Sequence, residues 1–267
     1  MKKRIQIMPE GIEVEYYRQS ALRTLNRKIE LVETVDQKYL RDGHSLIDIK
    51  DLLEGNSFKF AGRRGKLLLL SVSNDMSIGL RFGMTGRLLV DGVSAIETLE
   101  YSSTKNEPKW NRFSLKFSDG GTLSINDPRR LGAIQINPNI EVLGIDLYEI
   151  TISSLSKALG SSSRALKSRL MDQSKVAGLG NLLTDEILWR SSINPRRTAN
   201  SLTHDEQKRL AYHIIQTVKQ LTKLGGSHTG KLQAHRGTGG LCPKDGEPLE
   251  RYTVGGRTTY SCPLHQI

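Results

Sequence analysis

The first half of the chain alternates short apolar runs with turn residues. Sequences such as Ser118-Asp119-Gly120 separate the runs. This pattern predicts β-strands joined by tight turns. We therefore expect an antiparallel β-sandwich or barrel-like domain with strands at Ile29–Val35, Phe58–Gly62, Leu67–Val72, Ile78–Phe82, Leu88–Val90, Phe113–Phe117, Thr122–Ile125 and Ala133–Ile136.

Helical periodicity precedes these strands and takes over after them. A leading helix is predicted where apolar residues recur at helical spacing from Val14 to Leu25. A capping box, Thr203 to Glu206, predicts the start of a long helix that ends at Gly225-Gly226. Shorter helices are predicted at Leu46–Leu53, Ile152–Leu159, Ala165–Met171 and Leu182–Trp189.

Composition narrows the possible partners. The chain has 267 residues, enough for two modest domains, and a formal net charge of +11 with a sequence pI near 9.7. Such a charge favours a polyanionic partner, above all nucleic acid, although a basic surface also serves solubility or membrane association. The sequence contains no apolar run long enough to span a membrane, and no apolar h-region of a secretory signal follows Met1-Lys2-Lys3-Arg4. We therefore expect no membrane partner and a cytoplasmic location.

The tail from Ser227 is rich in glycine and basic residues and can hold little core of its own. Its two cysteines recur in a C-x-x-D and a C-x-x-H spacing, which resembles two zinc knuckles with one cysteine of each replaced. We predict one structural Zn²⁺ with mixed ligands; the alternative is a zincless hairpin with two leftover thiols. The predicted ligands are Cys242, Asp245, Cys262 and His265.

Two further stretches carry chemistry. If Met8 were the true start, methionine removal would give Pro9 a free secondary amine with Glu10 beside it, a nucleophile and a proton donor. The alternative is that Pro9 only opens a helix. A glycine turn, Gly178-Leu179-Gly180, leads to Asn181 as the helix N-cap; it suits a phosphate, or it is an ordinary corner between helices.

Pro9-Glu10, together with Leu170-Met171-Asp172-Gln173 and the glycine turn that ends at Asn181, resembles the helix-two-turn-helix DNA glycosylases of the formamidopyrimidine-DNA glycosylase and endonuclease VIII family. The resemblance extends from residue 8 to 266. It implies an α+β multidomain fold: residues 1–7 an extension or misassigned start, 8–140 a β-sandwich catalytic domain with a leading helix, 141–226 a helix-two-turn-helix domain, and 227–267 a zinc-finger-like hairpin.

The resemblance also implies an activity. The chain is expected to be a bifunctional DNA glycosylase and abasic-site lyase, a monomer acting on double-stranded DNA with damaged bases or abasic sites. Pro9 and Glu10 would act at the sugar, and Arg257 on a phosphate at the lesion. Lys66 would act on the lesion's phosphate or as a general acid in strand cleavage. If residues 1–7 persist, the Pro9 nitrogen is an amide, and a non-catalytic protein that binds damaged DNA is the alternative.

DNA-contacting residues follow from the same resemblance: Met84, Arg129, Leu131, Lys167 and Asn181. Met84 and Arg129 would enter the duplex where the damaged nucleotide is flipped out. Leu131 stands where the formamidopyrimidine branch has phenylalanine, which implies weaker stacking. The segment from Gly225 to Gly237 is shorter than that branch's lesion-capping loop, which argues against strong selectivity for 8-oxoguanine.

Overall fold

The computed structural model describes residues 9–72, 76–96 and 106–267, so the predicted extension at 1–7 lies outside the described residues. The chain forms two compact units. Pro9 and Glu13–Ile140 belong to one, here the β unit. Glu10–Ile12 and Glu141–Ile267 belong to the other, here the helical unit. The predicted domain boundaries stay predictions.

Two antiparallel sheets make up the β unit. One has the strand order β1-β7-β8-β5-β6 and the other β2-β3-β4-β9. This architecture confirms the predicted sandwich, with strand ends that differ by up to two residues and one additional short strand, β6. The strands are β1 Ile29–Val35, β2 Phe58–Arg64, β3 Leu67–Val72, β4 Ser77–Arg81, β5 Arg87–Val90, β6 Val93–Ser94, β7 Asn111–Phe117, β8 Thr122–Asn126 and β9 Ala133–Ile136.

One apolar core joins both sheets to the helices of the β unit. Leu68 of β3 and Leu115 of β7 are fully buried in the same cluster. Tyr17, on helix α1 (Gly11–Ala21), packs with its ring centroid 4.5 Å from that of Phe82. Each buried side chain of this size stabilises the fold by about 1.5–3 kcal/mol. The strands on either side of each turn are therefore anchored in one packed core.

The helical unit is built around a helix with almost no exposed face. Helix α5 is buried along nearly its whole length, including the polar Thr184, Asp185 and Glu186. Buried polar groups require partners, so this helix is where tertiary hydrogen bonds are expected. The helices are α2 Leu46–Leu53 in the β unit and α3 Ile152–Leu159, α4 Leu166–Leu170, α5 Asn181–Ser191 and α6 His204–Leu224 in the helical unit.

Four short strands complete the helical unit. Strand β10 (Ile145–Asp146) pairs in parallel with β11 (Val176–Ala177). Strands β12 (Glu250–Val254) and β13 (Arg257–Ser261) form the predicted C-terminal hairpin. Its turn, Gly255-Gly256, has φ of +56° and +74°, values that favour glycine in a two-residue turn. The turn places Arg257 at the first position of β13.

Helix α6 begins with the predicted capping box. The Glu206 carboxylate accepts the Thr203 N–H at 2.8 Å, and the Thr203 hydroxyl accepts the Glu206 N–H at 3.3 Å. Arg197 donates to the same carboxylate at 2.9 Å. Its hydrogen bonds lower the pKa of Glu206 to about 2. In the part of the chain that is described, no helix combines the length and apolar character needed to cross a bilayer.

Glu206→Gln should destabilise the protein at neutral pH by about 1 kcal/mol, because it removes the charge that Arg197 and the cap stabilise. A lowered folded-state pKa gives stability that is present above the ordinary value of 4.5 and lost as the pH falls toward about 2. Urea unfolding at several pH values should therefore show the difference between variant and wild type shrinking across that window. Asp205→Asn, at a mostly exposed neighbour, is the control. A difference independent of pH would contradict the assignment.

Candidate active site

The carboxylate of Glu10 lies at the start of helix α5. It is fully buried and accepts backbone N–H groups from Gly180 at 2.9 Å, Leu182 at 2.8 Å and Leu183 at 3.2 Å. The first N–H groups of a helix have no partner within the helix, and its N-terminus carries partial positive charge. The Glu10 carboxylate therefore satisfies these donors, and the helix stabilises its negative charge.

This contact corrects two expectations for the glycine turn. Gly180, not Asn181, is the N-cap, and Asn181 is the first helical residue. The turn was expected either to hold a phosphate or to be an ordinary corner between helices; its N–H groups instead donate to Glu10, which is 170 residues away from Gly180 in sequence. No local pattern could reveal so distant a cap. Asn181 itself is buried, and its Oδ1 has no hydrogen-bond partner among the described residues.

The chain approaches the glycine turn closely at Gly11. Its N–H donates to the carbonyl of Gly178 at 2.9 Å. A Cβ on Gly11 would lie 2.0 Å from the Leu147 side chain and 3.0 Å from the Gly178 backbone. Only glycine fits here without displacing its neighbours. The backbone of Gly11 is therefore held in place beside Gly178 and Leu147.

Lys167 is not at the surface, which corrects the expectation of a DNA-contacting lysine. Its side chain is fully buried, with Nζ 2.7 Å from Oδ1 of Asp185. Nζ also donates to the Thr259 hydroxyl at 2.8 Å and to the Thr258 carbonyl at 3.1 Å. Burial lowers the pKa of Lys167, and the charges of Asp185 and Glu10 oppose that shift. The ammonium thus joins helix α4 to strand β13.

Asp185 pairs with a second cation on its other oxygen. Arg236 forms an ion pair with Oδ2 of Asp185 and lies over the ring of Tyr260, 4.8 Å from the centroid. The Tyr260 N–H also donates to Oδ2 at 3.3 Å. Neither Asp185 nor Arg236 was among the predicted site residues; the available signal was the acidic pair Asp185-Glu186 between apolar residues of helix α5. These contacts hold strand β13 in place. Arg257, the first residue of that strand, is exposed.

The second acid of that pair, Glu186, holds the segment after helix α6. Its carboxylate accepts the N–H of Leu232 at 2.8 Å and that of Lys231 at 3.1 Å. Gly230 lies so close that a Cβ would be 2.7 Å from Glu186 Oε2. Residues 230–232, after helix α6, are therefore packed against helix α5.

The four predicted metal ligands lie together in the hairpin region. One ligand atom from each of Cys242, Asp245, Cys262 and His265 falls within 4.8 Å of all the others. Cys242 Sγ is 3.7 Å from His265 Nδ1, and Cys262 Sγ is 3.3 Å from Asp245 Oδ2. Tetrahedral ligands around Zn²⁺ are roughly 3–4 Å apart. The donor set and its spacing fit a metal of this kind.

Surrounding groups orient these ligands. The Trp189 carbonyl lies 3.3 Å from His265 Nε2, so a proton on Nε2 leaves the Nδ1 lone pair facing the cluster. The indole N–H of Trp189 donates to Cys242 Sγ at 3.2 Å, and the Lys244 N–H lies 3.4 Å from the same sulfur. Helix α5 thus supports the cluster at its C-terminal end and Glu10 at its N-terminal end.

The β unit carries the remaining predicted site residues. Pro9 is buried, and Lys66 is half-buried in the turn between β2 and β3. Met84 is half-buried in the turn between β4 and β5, whereas Arg129 and Leu131 are exposed in the loop between β8 and β9.

The two loops that carry Met84, Arg129 and Leu131 meet at Gly83. Gly83 has a φ of +58°, and a Cβ there would lie 2.5 Å from the Leu131 carbonyl carbon. The structure therefore brings these three residues to one edge of the β unit. Glu10, Asn181, Lys167 and Arg257 belong to the helical unit.

The structure contains the features expected of the helix-two-turn-helix DNA glycosylases: a β-sandwich with a leading helix, a glycine turn opening onto a buried helix, and a hairpin with a Cys/His cluster. Residues 8–134 match the family model of the formamidopyrimidine-DNA glycosylase N-terminal domain, and residues 144–232 match that of its H2TH domain. The chain belongs to the formamidopyrimidine-DNA glycosylase family, and it is a base-excision-repair DNA glycosylase, with lyase activity known for this family.

Individual relatives agree with the family models. The formamidopyrimidine-DNA glycosylase of Ligilactobacillus salivarius is 33% identical over 285 residues, covering 97% of this chain and 99% of the relative. That of Halalkalibacterium halodurans is 30% identical, covering 97% and 100%. The Lactococcus lactis enzyme, in a crystal structure bound to DNA containing an AP site, is 26% identical with a TM-score of 0.82, covering 96% of this chain and 99% of that one.

Lys167→Met should lower the free energy of unfolding by about 3 kcal/mol, because it leaves buried Asp185 with one cation instead of two. The measurement is urea unfolding, followed by circular dichroism. Lys157→Met, at an exposed lysine of helix α3, is the matched control and should change stability by less than about 0.5 kcal/mol. Similar stability of the two variants would show that the buried contacts of Lys167 contribute nothing.

Proposed function

We propose that this protein removes oxidised or ring-opened bases from double-stranded DNA and then cleaves the strand, with the N-terminal amine of Pro9 as nucleophile. The proposal extends to a monomeric enzyme that works in the cytoplasm. The observation that carries it is the fixed Glu10: the residue that follows Pro9 is held by three backbone N–H groups at the start of α5. The domain division at 8–140, 141–226 and 227–267 belongs to the same proposal.

The chemistry of the first step requires an unprotonated amine. An α-amino group has a pKa of about 7.7–8.0 against about 10.4 for lysine, so far more of it is nucleophilic near neutral pH. The Pro9 nitrogen forms a bond to C1′ of the flipped nucleotide while the bond from C1′ to the base breaks; the base leaves with the bonding electron pair and takes a proton from water. Opening of the sugar then gives an iminium, and loss of a proton from C2′ expels the 3′ phosphate. A second elimination releases the 5′ phosphate.

Glu10 moves protons in this scheme. It is bonded to Pro9 through the chain, and its own backbone and side chain are fixed by Gly11 and by the start of helix α5. A group held in this way is preorganised and needs no rearrangement when the proton moves. Glu10 takes a proton as the amine attacks and returns one as the sugar opens.

The other predicted residues bind the substrate. Lys66, Asn181 and Arg257 hold and polarise the phosphates beside the lesion, and the planar donor fork of arginine suits that role. Met84, Arg129 and Leu131 fill the space that the flipped nucleotide leaves. A leucine stacks less well than an aromatic ring, so we expect weak discrimination of the opposite base.

Known complexes and the charge support a DNA substrate. The Lactococcus lactis enzyme has also been crystallised with DNA containing N7-benzyl-Fapy-dG, in a structure with a TM-score of 0.81 and 26% identity. The present chain carries a net charge of +11, suited to a phosphate backbone.

Protein whose chain begins at Pro9 should form a borohydride-trappable adduct with abasic-site DNA, whereas protein that retains residues 1–7 should not. The physical reason is that only a free amine has a usable lone pair. Pro9→Gly should trap more weakly. Glu10→Gln should slow base excision more than cleavage of a preformed abasic site. The measurement is gel analysis of trapped adducts, with intact mass confirming each N-terminus.

Two outcomes would redirect the assignment. Equal trapping by protein that retains residues 1–7 would show that Pro9 is not the nucleophile and would shift attention to a lysine such as Lys66. Tight binding to abasic DNA without trapping or excision by either form would support the non-catalytic alternative.

We also propose that the cluster in the hairpin region holds one structural Zn²⁺ through Cys242, Asp245, Cys262 and His265. Thiolate, imidazole and carboxylate are all zinc ligands, and two of these four residues are buried. Bound zinc would supply the cross-link that a glycine-rich tail cannot obtain from a core of its own. Arg257 on β13 would depend on it for its position.

Trp189 provides a direct test, because its indole donates to Cys242 Sγ. The chain has two tryptophans, so Trp110→Phe leaves Trp189 as the single reporter. Adding Zn²⁺ to metal-free Trp110→Phe protein should change the Trp189 emission. The same addition to a Trp110→Phe/Cys262→Ser variant should have little effect. Metal analysis should give close to one equivalent; a folded, active protein without metal would refute the site.

A further inference from the structure

Asp127 is a buried carboxylate in the loop between β8 and β9. Its side chain is fully buried, with Oδ2 accepting the N–H of Leu131 at 2.8 Å and that of Gly132 at 3.0 Å. Oδ1 accepts the N–H of Arg129 at 3.2 Å. One side chain thus sets the backbone path of the loop that presents Arg129 and Leu131.

The same carboxylate reaches the other loop. The hydroxyl of Thr85, the residue after Met84, donates to Asp127 Oδ1, and the hydroxyl of Tyr39 donates to Oδ2. Thr85 is fully buried, as is Tyr39. The turn that carries Met84 and the loop that carries Leu131 therefore share one acceptor.

Backbone contacts anchor this acceptor. The Asp127 N–H donates to the carbonyl of Trp110 at 2.8 Å, and its carbonyl accepts from Arg112 Nε at 2.9 Å. Gly83 approaches the Leu131 backbone so closely that a Cβ there would lie 2.5 Å from its carbonyl carbon. The Asp127 backbone is thus hydrogen-bonded to Arg112 of strand β7 and to Trp110, which precedes that strand. Its carboxylate meanwhile holds both loops.

We propose that Asp127 is a positioning residue that makes these two loops one rigid wedge, and that this rigidity sets how well a damaged nucleotide is extruded from a duplex. The inference rests on the proposed function, because it assigns the wedge role to Met84, Arg129 and Leu131. Five donors surround a group that in its ionised form only accepts, so no neutral residue replaces it fully.

Rigidity of the two loops affects how readily the damaged nucleotide leaves the duplex. Unstacking a base pair costs a few kcal/mol, and side chains that enter the gap offset this cost only if they stay in place. Loops ordered before binding lose less conformational entropy when DNA arrives. A shared acceptor supplies that order, since neither loop can shift without breaking hydrogen bonds of the other.

Thr85→Val and Thr85→Ser test the shared acceptor with little change in volume. Valine removes the hydroxyl that joins the Met84 turn to Asp127, whereas serine keeps it. Asp127→Asn is the stronger change, because its amide group would face N–H and O–H donors. Asp91→Asn is the matched control: that carboxylate also accepts a backbone N–H, from Thr122 at 2.9 Å, but belongs to another turn.

Each variant is compared in two assays. Single-turnover excision of a damaged base from a duplex requires extrusion, while borohydride trapping on a single-stranded abasic oligonucleotide does not. Thr85→Val and Asp127→Asn should reduce duplex excision by about tenfold or more, equivalent to about 1.4 kcal/mol of barrier. Trapping on single strands should stay within about twofold, and Thr85→Ser and Asp91→Asn should match wild type in both assays.

Two results would overturn the inference: unchanged duplex excision in Thr85→Val, or an equal fall in both assays. If Asp127→Asn does not fold, the valine and serine variants decide the question. If wild type neither excises nor traps, the proposed function fails independently. Fluorescence of 2-aminopurine beside an abasic site would then still report whether Thr85→Val weakens distortion of the duplex.

Discussion

The helical unit depends on the carboxylate of Glu10 at the start of helix α5. Without it, the N–H groups of Gly180, Leu182 and Leu183 would be buried without that acceptor, at a cost of about 1–3 kcal/mol each. The same helix directs Asp185 toward strand β13 and Glu186 toward the segment after α6. Three carboxylates therefore orient the first residues of the unit, its C-terminal hairpin and its connecting segment around one buried helix.

Several acidic residues of this basic protein are fully or almost fully buried. The chain has 39 lysines and arginines against 28 aspartates and glutamates. Glu10, Asp127, Asp185 and Glu186 are among the buried acids, and each accepts at least one backbone N–H group, from a helix start, a loop or a strand. These acids therefore serve the fold, and the excess of basic over acidic residues in the whole chain is what attracts a polyanion.

Features that depend on neighbouring residues were predictable from the sequence, and features that depend on distant ones were not. Strand runs, the capping box at Thr203 and the metal-ligand spacing are local patterns, and the structure contains all three. The residues around Lys167 are typical of a solvated helix lysine. Its burial could not be predicted from them, because its partner Thr259 is 92 residues away. Asp127 lies two residues before Arg129, but its partner Tyr39 is 88 residues distant, so no local pattern indicates its role.

The mixed cluster of Cys242, Asp245, Cys262 and His265 has a consequence for chemical durability. Thiolates oxidise stepwise to sulfenic and higher acids, whereas carboxylate and imidazole ligands do not follow that route. A hairpin held by two thiols offers oxidants half the targets of one held by four. Under the proposed metal assignment, oxidants would therefore meet two ligand thiols, Cys242 and Cys262, and two ligands that do not follow the thiol route.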